Sequence, residues 1–218
     1  SRTNKLNQIL LTGLEKHEGK SDLSVDWQVA NLSSDEGWEE AVKGCDYVLH
    51  VASPIGMELP KNEDEMVKPA VEGTLRVLKA ASKAGVKRVV ITSSVAAIMY
   101  GTDKQGVFNE EDWTNPESKT TNVYAKSKTL AEQAAWDFIK KDTTGMELST
   151  VLPAMVFGPI LEEDFGVSVG AILDMMNGKY PIVPNWDMGV VDVRDVASLE
   201  LLAMTKPEAA GKLSLIHI

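Results

Sequence analysis

Tyr124 and Lys128 stand four residues apart in the run TNVYAKSKTLAEQAAWDF, whose apolar spacing is helical. Four-residue spacing on a helix brings both side chains out on one face, within reach of one ligand. A phenol in water holds its proton to about pH 10, and a nearby ammonium stabilises the phenolate. The pair suits a proton donor aimed at the oxygen of a carbonyl under reduction, with a cation that tunes it. Taken alone, such a pair is commonplace on solvated helix faces, so its weight comes from its setting. Thirty residues upstream, VKRVVITSS ends in Thr92-Ser93-Ser94. Hydroxyls at the carboxyl end of a parallel strand face the ligand crevice of an open α/β sheet. Ser94 is placed to hydrogen-bond the same carbonyl oxygen; a serine there also caps the following turn.

Elements that position these groups follow from hydrophobic periodicity. Leu23 to Leu32 reads as a strand and Glu36 to Lys43 as a short helix. DYVLHVAS, Asp46 to Ser53, reads as a strand buried on both faces. Glu63 to Lys83 reads as a long helix, its stripe formed by Val67, Val71, Leu75 and Leu78 and its end marked by Gly85. Val86 to Ser94 is a strand and Asn122 to Lys141 a helix. Glu147 to Phe157 is a strand broken at Gly158-Pro159, and Gly166 to Asn177 a helix. Strands alternating with helices imply crossover units and a parallel sheet wound on both sides.

Composition narrows the partners. The 218 residues are 44% hydrophobic and 25% charged, with a formal net charge of -10. That balance suits a soluble globular domain and argues against nucleic acid, which would call for a basic stripe. Cys45 stands alone and cannot close an intramolecular disulfide, and no stretch is apolar enough to span a membrane. A cytoplasmic protein, monomer or homodimer, acting on a small molecule is the expectation.

Several runs together resemble a known family: HVASP at His50 to Pro54, Thr92-Ser93-Ser94, YAKSKTLAEQAAWDF at Tyr124 to Phe138, Leu152-Pro153, and VDVRDVA at Val191 to Ala197. They look like the dihydroflavonol reductase and cinnamoyl-CoA reductase branch of the extended short-chain dehydrogenase/reductases, within the NAD-dependent epimerase/dehydratase superfamily. The resemblance implies a doubly wound NAD(P)-binding Rossmann sheet over residues 1–158 and a small substrate lobe with return elements over 159–212. It implies reduction of an aldehyde or ketone with NADP(H) preferred and NAD(H) possible, with Tyr124 as the acid, Lys128 also holding the nicotinamide ribose, and Ser94 polarising the carbonyl. His50, Val51, Ala52 and Ser53 would run along the cofactor, Thr92 would lie at the strand end beside it, and Pro153, Met155 and Val156 would flank the nicotinamide. His50 reads equally well as an interior strand histidine with a satisfied hydrogen bond. No metal is implied.

Departures from the family pattern shape further expectations. No GxxGxxG is present, so the first strand, glycine turn, first helix and second strand, and with them the pyrophosphate site, are expected to be missing. Activity of residues 1–218 alone is accordingly expected to be slight. Arg2 and Lys5 are candidate partners for a 2′-phosphate or simply exposed helix-start basics. Asn31, with Leu32, stands where relatives carry an aspartate near the adenine, and its carbonyl oxygen can still accept. Ala70 replaces the asparagine that supports a proton relay in many relatives. Ile55 and Met57 make an aliphatic substrate wall, completed by Met155, Phe165 and Trp186 or else by core residues at those positions. LSLIHI, residues 213–218, breaks from the expected strand and resembles a translated sequencing adapter. Alternative readings are a sugar-nucleotide epimerase or 3β-hydroxysteroid dehydrogenase with the same groups, and a cofactor-sensing regulator without catalysis.

Overall fold

The computed structural model describes residues 25–55, 60–160, 166–179 and 189–216. Four strands, β1 (Tyr47–His50), β2 (Arg88–Thr92), β3 (Glu147–Pro153) and β6 (Leu213–Ile216), form a wholly parallel sheet in the order β1-β2-β3-β6. Parallel strands need crossovers, and the long helices supply them. α2 (Asp64–Ala84) joins β1 to β2 and α3 (Val123–Lys141) joins β2 to β3, while α5 (Val193–Thr205) leads back to β6. The short α1 (Trp38–Val42) precedes β1. Strands β4 (Met155–Phe157) and β5 (Val190–Asp192) pair as a second parallel ribbon, with α4 (Gly166–Met176) between them in sequence.

Alternation along β2 explains the layering. Val89 and Ile91 face a cluster with Leu78 and Ala81 of α2, Ala135 of α3 and Leu148 of β3. Val90 points the other way, to Val151 and Ala203 of α5. Each face of the sheet is thus covered by helix, the doubly wound arrangement the apolar runs require. Because all four strands run the same way, His50, Thr92 and Pro153 reach one common edge.

Four expectations need correction. Residues 25–32 carry no strand; instead Leu32 packs on α2, where a Cβ at Gly73 would lie 2.8 Å from Leu32 Cδ2, so only glycine admits this approach. The DYVLHVAS strand shrinks to Tyr47–His50 and is not buried on both faces: Leu49 is 39% and Val51 56% exposed. Among the described residues β1 pairs with β2 alone. Of the expected α2 stripe Leu78 is fully buried, but Val67, Val71 and Leu75 are only half-buried; Ala70, Gly73, Thr74, Val77, Ala80 and Ala81 complete the buried face. Small residues carry it because α3 lies close alongside, and ridges of small side chains permit that approach. Lastly, Leu213–Ile216 does not break from the sheet. Its apolar alternation sends Leu213 and Leu215 to Ile98 and Leu152, and Ile216 to Val90 and Val151, which is sufficient reason to pair with β3.

Glycine also marks where the long Glu147–Phe157 run ends. β3 stops at Pro153, Ala154 N–H donates to Ile216 O at 3.2 Å, and Met155 N–H turns away to Gly189 O at 3.1 Å. Gly158 then adopts φ 142, with a Cβ there falling 2.7 Å from Val193 Cγ1. One apolar run therefore serves two sheets.

Candidate active site

Asn122 starts α3, its Oδ1 accepting the Ala125 N–H at 2.8 Å. This cap fixes the first turn of the helix, on which Tyr124 rides. One turn on, Lys128 is buried, and its Nζ donates to the Thr92 carbonyl oxygen at 3.2 Å. Ser94, 8% exposed, caps the 3₁₀ turn Val95–Ala97 by accepting the Ala96 N–H at 3.2 Å, and it lies close enough to the Tyr124 phenol to pull on it. The cap is the turn-capping role expected of Ser94, and it leaves the hydroxyl proton to donate elsewhere. Thr114, 1% exposed, pins the loop behind this turn. Its Oγ1 donates to Ala96 O at 2.7 Å and accepts from Tyr100 N–H at 2.8 Å.

Ser94, Tyr124 and Lys128 therefore meet at the carboxyl ends of β1 and β2. The electrostatics differ from the expectation in one respect. Burial pushes the Tyr124 phenol above its ordinary value, the Ser94 hydroxyl pulls it partly back, and neighbouring Tyr100 adds to the rise. Lys128 is not among the groups that shift it. The lysine sits a turn further along α3, bonded to Thr92 O, with Glu132 as its nearest compensating charge. Burial lowers Lys128 to about 8 against the opposing pull of Glu132. His50 is lowered to about 4 by burial and by the Lys128 charge, so it is neutral at pH 7, with Nε2 3.4 Å from Thr74 Oγ1. The interior-histidine reading of His50 fits this pairing.

Two buried carboxylates escaped the sequence reading. Glu132, 1% exposed, accepts from Ser93 Oγ at 2.5 Å, from Thr150 Oγ1 at 2.7 Å and from Trp136 Nε1 at 3.3 Å. Glu200 of α5, 8% exposed, accepts from Thr92 Oγ1. The three side chains of Thr92-Ser93-Ser94 thus bond to three different elements: Thr92 to α5, Ser93 to α3 and Ser94 to the following turn. A signal for Glu132 existed in the spacing, since Tyr124, Lys128 and Glu132 repeat every four residues on one face. Glu200 had none.

Other expected contacts divide. Val51 and Ala52 are exposed and Ser53 half-buried just past the end of β1, while Met155 and Val156 are half-buried beyond the buried Pro153. All lie at the sheet edge that bears the Ser94–Tyr124–Lys128 group. Ile55 is 55% exposed. Asn31 Oδ1 accepts the Ser33 N–H at 2.8 Å in a local turn, which leaves the second lone pair of that oxygen for another donor. The Leu32 carbonyl is likewise held, by Arg76 Nη1 at 2.8 Å. Arg2, Lys5, Met57, Phe165, Trp186 and His217 lie outside the described residues. Among the described residues no cluster of His, Cys, Asp or Glu could hold a metal ion, and no helix is long and apolar enough to cross a membrane.

A dinucleotide fits what is present. An ammonium has three donors, and among the described residues Lys128 donates only to Thr92 O, leaving two for paired ribose hydroxyls at the open strand edge. The profile of the NAD dependent epimerase/dehydratase family matches residues 5–217. The chain belongs to that family. The cinnamoyl-CoA reductase CAD2 of Medicago truncatula is 38% identical over 194 residues, 86% of this chain and 59% of that protein. An anthocyanidin reductase of Vitis vinifera is 34% identical over 199 residues, 84% of this chain and 58% of that one. Among solved structures, yeast methylglyoxal/isovaleraldehyde reductase complexed with NADPH is similar at 30% identity with a TM-score of 0.73, covering 95% of this chain and 67% of the other. The chain spans about three-fifths of the length of the curated relatives it matches.

Proposed function

We propose that this chain carries the catalytic part of a reductase that uses NADPH to convert an aldehyde or ketone to the alcohol. The observation that carries the reading is that Tyr124 and a buried Lys128 sit one turn apart on α3, Tyr124 beside Ser94 and Lys128 on the Thr92 carbonyl, with ammonium donors to spare. NADPH, when bound, supplies the hydride for the carbonyl carbon. Ser94 and Tyr124 present two hydroxyls to the carbonyl oxygen, where negative charge develops. A phenol raised by burial stays protonated at neutral pH, which is the state a proton donor to an alkoxide needs. Tyr124 gives its proton to that oxygen as the C–H bond forms, and the resulting phenolate recovers a proton from water.

Lys128 would hold the ribose hydroxyls of the nicotinamide half, with Thr92 O fixing the ammonium from behind. Val51 to Ser53 and Met155 to Val156 would form the walls along the cofactor, with Ile55 at the substrate mouth. The relatives' names, cinnamoyl-CoA, anthocyanidin and methylglyoxal/isovaleraldehyde reductases, support a small carbonyl substrate. The NADPH in the yeast structure supports the phosphorylated cofactor, for which Arg2 and Lys5 remain candidate partners.

The test is stoichiometric. The chain, extended at its ends to the length of its relatives, is mixed with NADPH or NADH and a panel of aldehydes, ketones and dihydroflavonols. One NADPH consumed per alcohol formed is the expected result. Conversion of a sugar nucleotide with no net cofactor consumption would replace the reading with an epimerase, and binding of cofactor with no conversion of any kind would replace it with a sensor.

A further inference from the structure

Glu132 is a carboxylate buried to 1% exposure that no step of the proposed reaction uses. It accepts three hydrogen bonds, from Ser93, Thr150 and Trp136. Burial raises the Glu132 carboxyl above its ordinary value, while the bonds from Ser93, Thr150 and Trp136 and the Lys128 charge pull it back toward the ionised form. Burying an anion is costly unless it is hydrogen-bonded and faces a cation, and the cation that it faces is Lys128, one turn away on α3. A neutral amide would satisfy these donors less well and offer Lys128 no charge.

We propose that Glu132 is a positioning residue of the reductase site: its charge keeps the Lys128 ammonium protonated in a dry setting, and its bond to Ser93 holds the strand end that presents Ser94. The proposal rests on the reading of Lys128 as the cation of that site. The groups facing Lys128 are few. Among the described residues Glu132 meets it from α3, the Thr92 carbonyl from β2 and His50 from β1, while Glu200 of α5 accepts from the Thr92 hydroxyl. His50 is neutral above about pH 4 and adds no opposing charge near neutrality. Against burial, Glu132 is the acid that favours the protonated lysine.

The test reads Lys128 directly and needs no turnover. The 218-residue chain, labelled at lysine Nζ with ¹⁵N, is titrated by NMR, with Lys128→Met identifying the signal. In the unsubstituted chain the midpoint is expected near 8. Glu132→Gln moves it down by about one pH unit or more, Glu132→Asp restores most of that shift, and Thr150→Val, which removes a bond to Glu132 but leaves its charge, does not move it. A folded Glu132→Gln protein with an unmoved Lys128 midpoint overturns the proposal. Should Glu132→Gln fail to fold, the reciprocal arm decides: in Lys128→Met the ¹³C-labelled Glu132 carboxyl must titrate higher than before, and an unmoved value overturns the proposal equally. An absence of carbonyl reduction would defeat the reductase reading while leaving this coupling measurable.

Discussion

His50 makes stability fall in mild acid, and the size of the fall can be worked from its surroundings. It is 6% exposed and held to about 4 instead of 6.5, by burial first and the Lys128 charge second. The folded value lies below the unfolded one, so the histidine contributes its full stability above about pH 6.5 and loses it as pH falls toward 4. Between pH 7 and pH 5 the unfolded chain takes up the proton and the native protein does not, a loss of roughly 2 kcal/mol. For a chain of this size that corresponds to a thermal midpoint lower by about 4–8 °C. Urea denaturation at pH 7 and pH 5, in the unsubstituted protein and in His50→Gln, isolates the effect. Glutamine can still bond Thr74 but takes no proton, so the pH-dependent loss should shrink by that amount. Asp112, Asp142 and Asp192 are held below the ordinary carboxylate value and lose their contribution only at lower pH, and Glu132 is common to both proteins. Equal losses in both proteins between pH 7 and pH 5 would refute the reasoning.

Two further substitutions probe the frame around the site. Arg88 is 5% exposed, donates Nη1 to the carbonyl oxygens of Ala203 at 2.7 Å and Lys206 at 2.6 Å, and pairs with Glu147, so it ties the end of α5 to β2. Arg88→Ala should cost about 3–5 kcal/mol in chemical denaturation because it strands buried partners, whereas Glu147→Gln, at a half-exposed position, should cost under about 1 kcal/mol. Asn122→Ala removes the cap of α3 and should cost about 1 kcal/mol, with faster amide exchange confined to the first turn, around Tyr124.

What was legible in the sequence was what depends on local pattern. Tyr124 and Lys128 share a helix face because spacing dictates it, Gly85 ends α2 in the left-handed region, and Thr92-Ser93-Ser94 closes β2. What escaped depends on neighbours in space. The face α2 buries is chosen by how closely α3 approaches, and small residues carry little periodic signal. Among the described strands β1 pairs on one side only, which no property of DYVLHVAS reveals. LSLI looked foreign, yet alternating leucines will pair with any strand that offers matching apolar faces. Spacing alone suggests a pull of Lys128 on the phenol, whereas in the fold the ammonium bonds the Thr92 carbonyl and burial is the largest influence on the phenol.

The central claim is that Tyr124 donates the proton. It is tested most directly by Tyr124→Phe in the chain extended to the length of its relatives, with NADPH binding followed by fluorescence and single-turnover reduction of the best carbonyl followed at 340 nm. The account predicts that binding changes little while the rate of reduction falls by about 10²–10⁴-fold. A Tyr124→Phe protein that reduces the carbonyl within a few-fold of the original rate would contradict it.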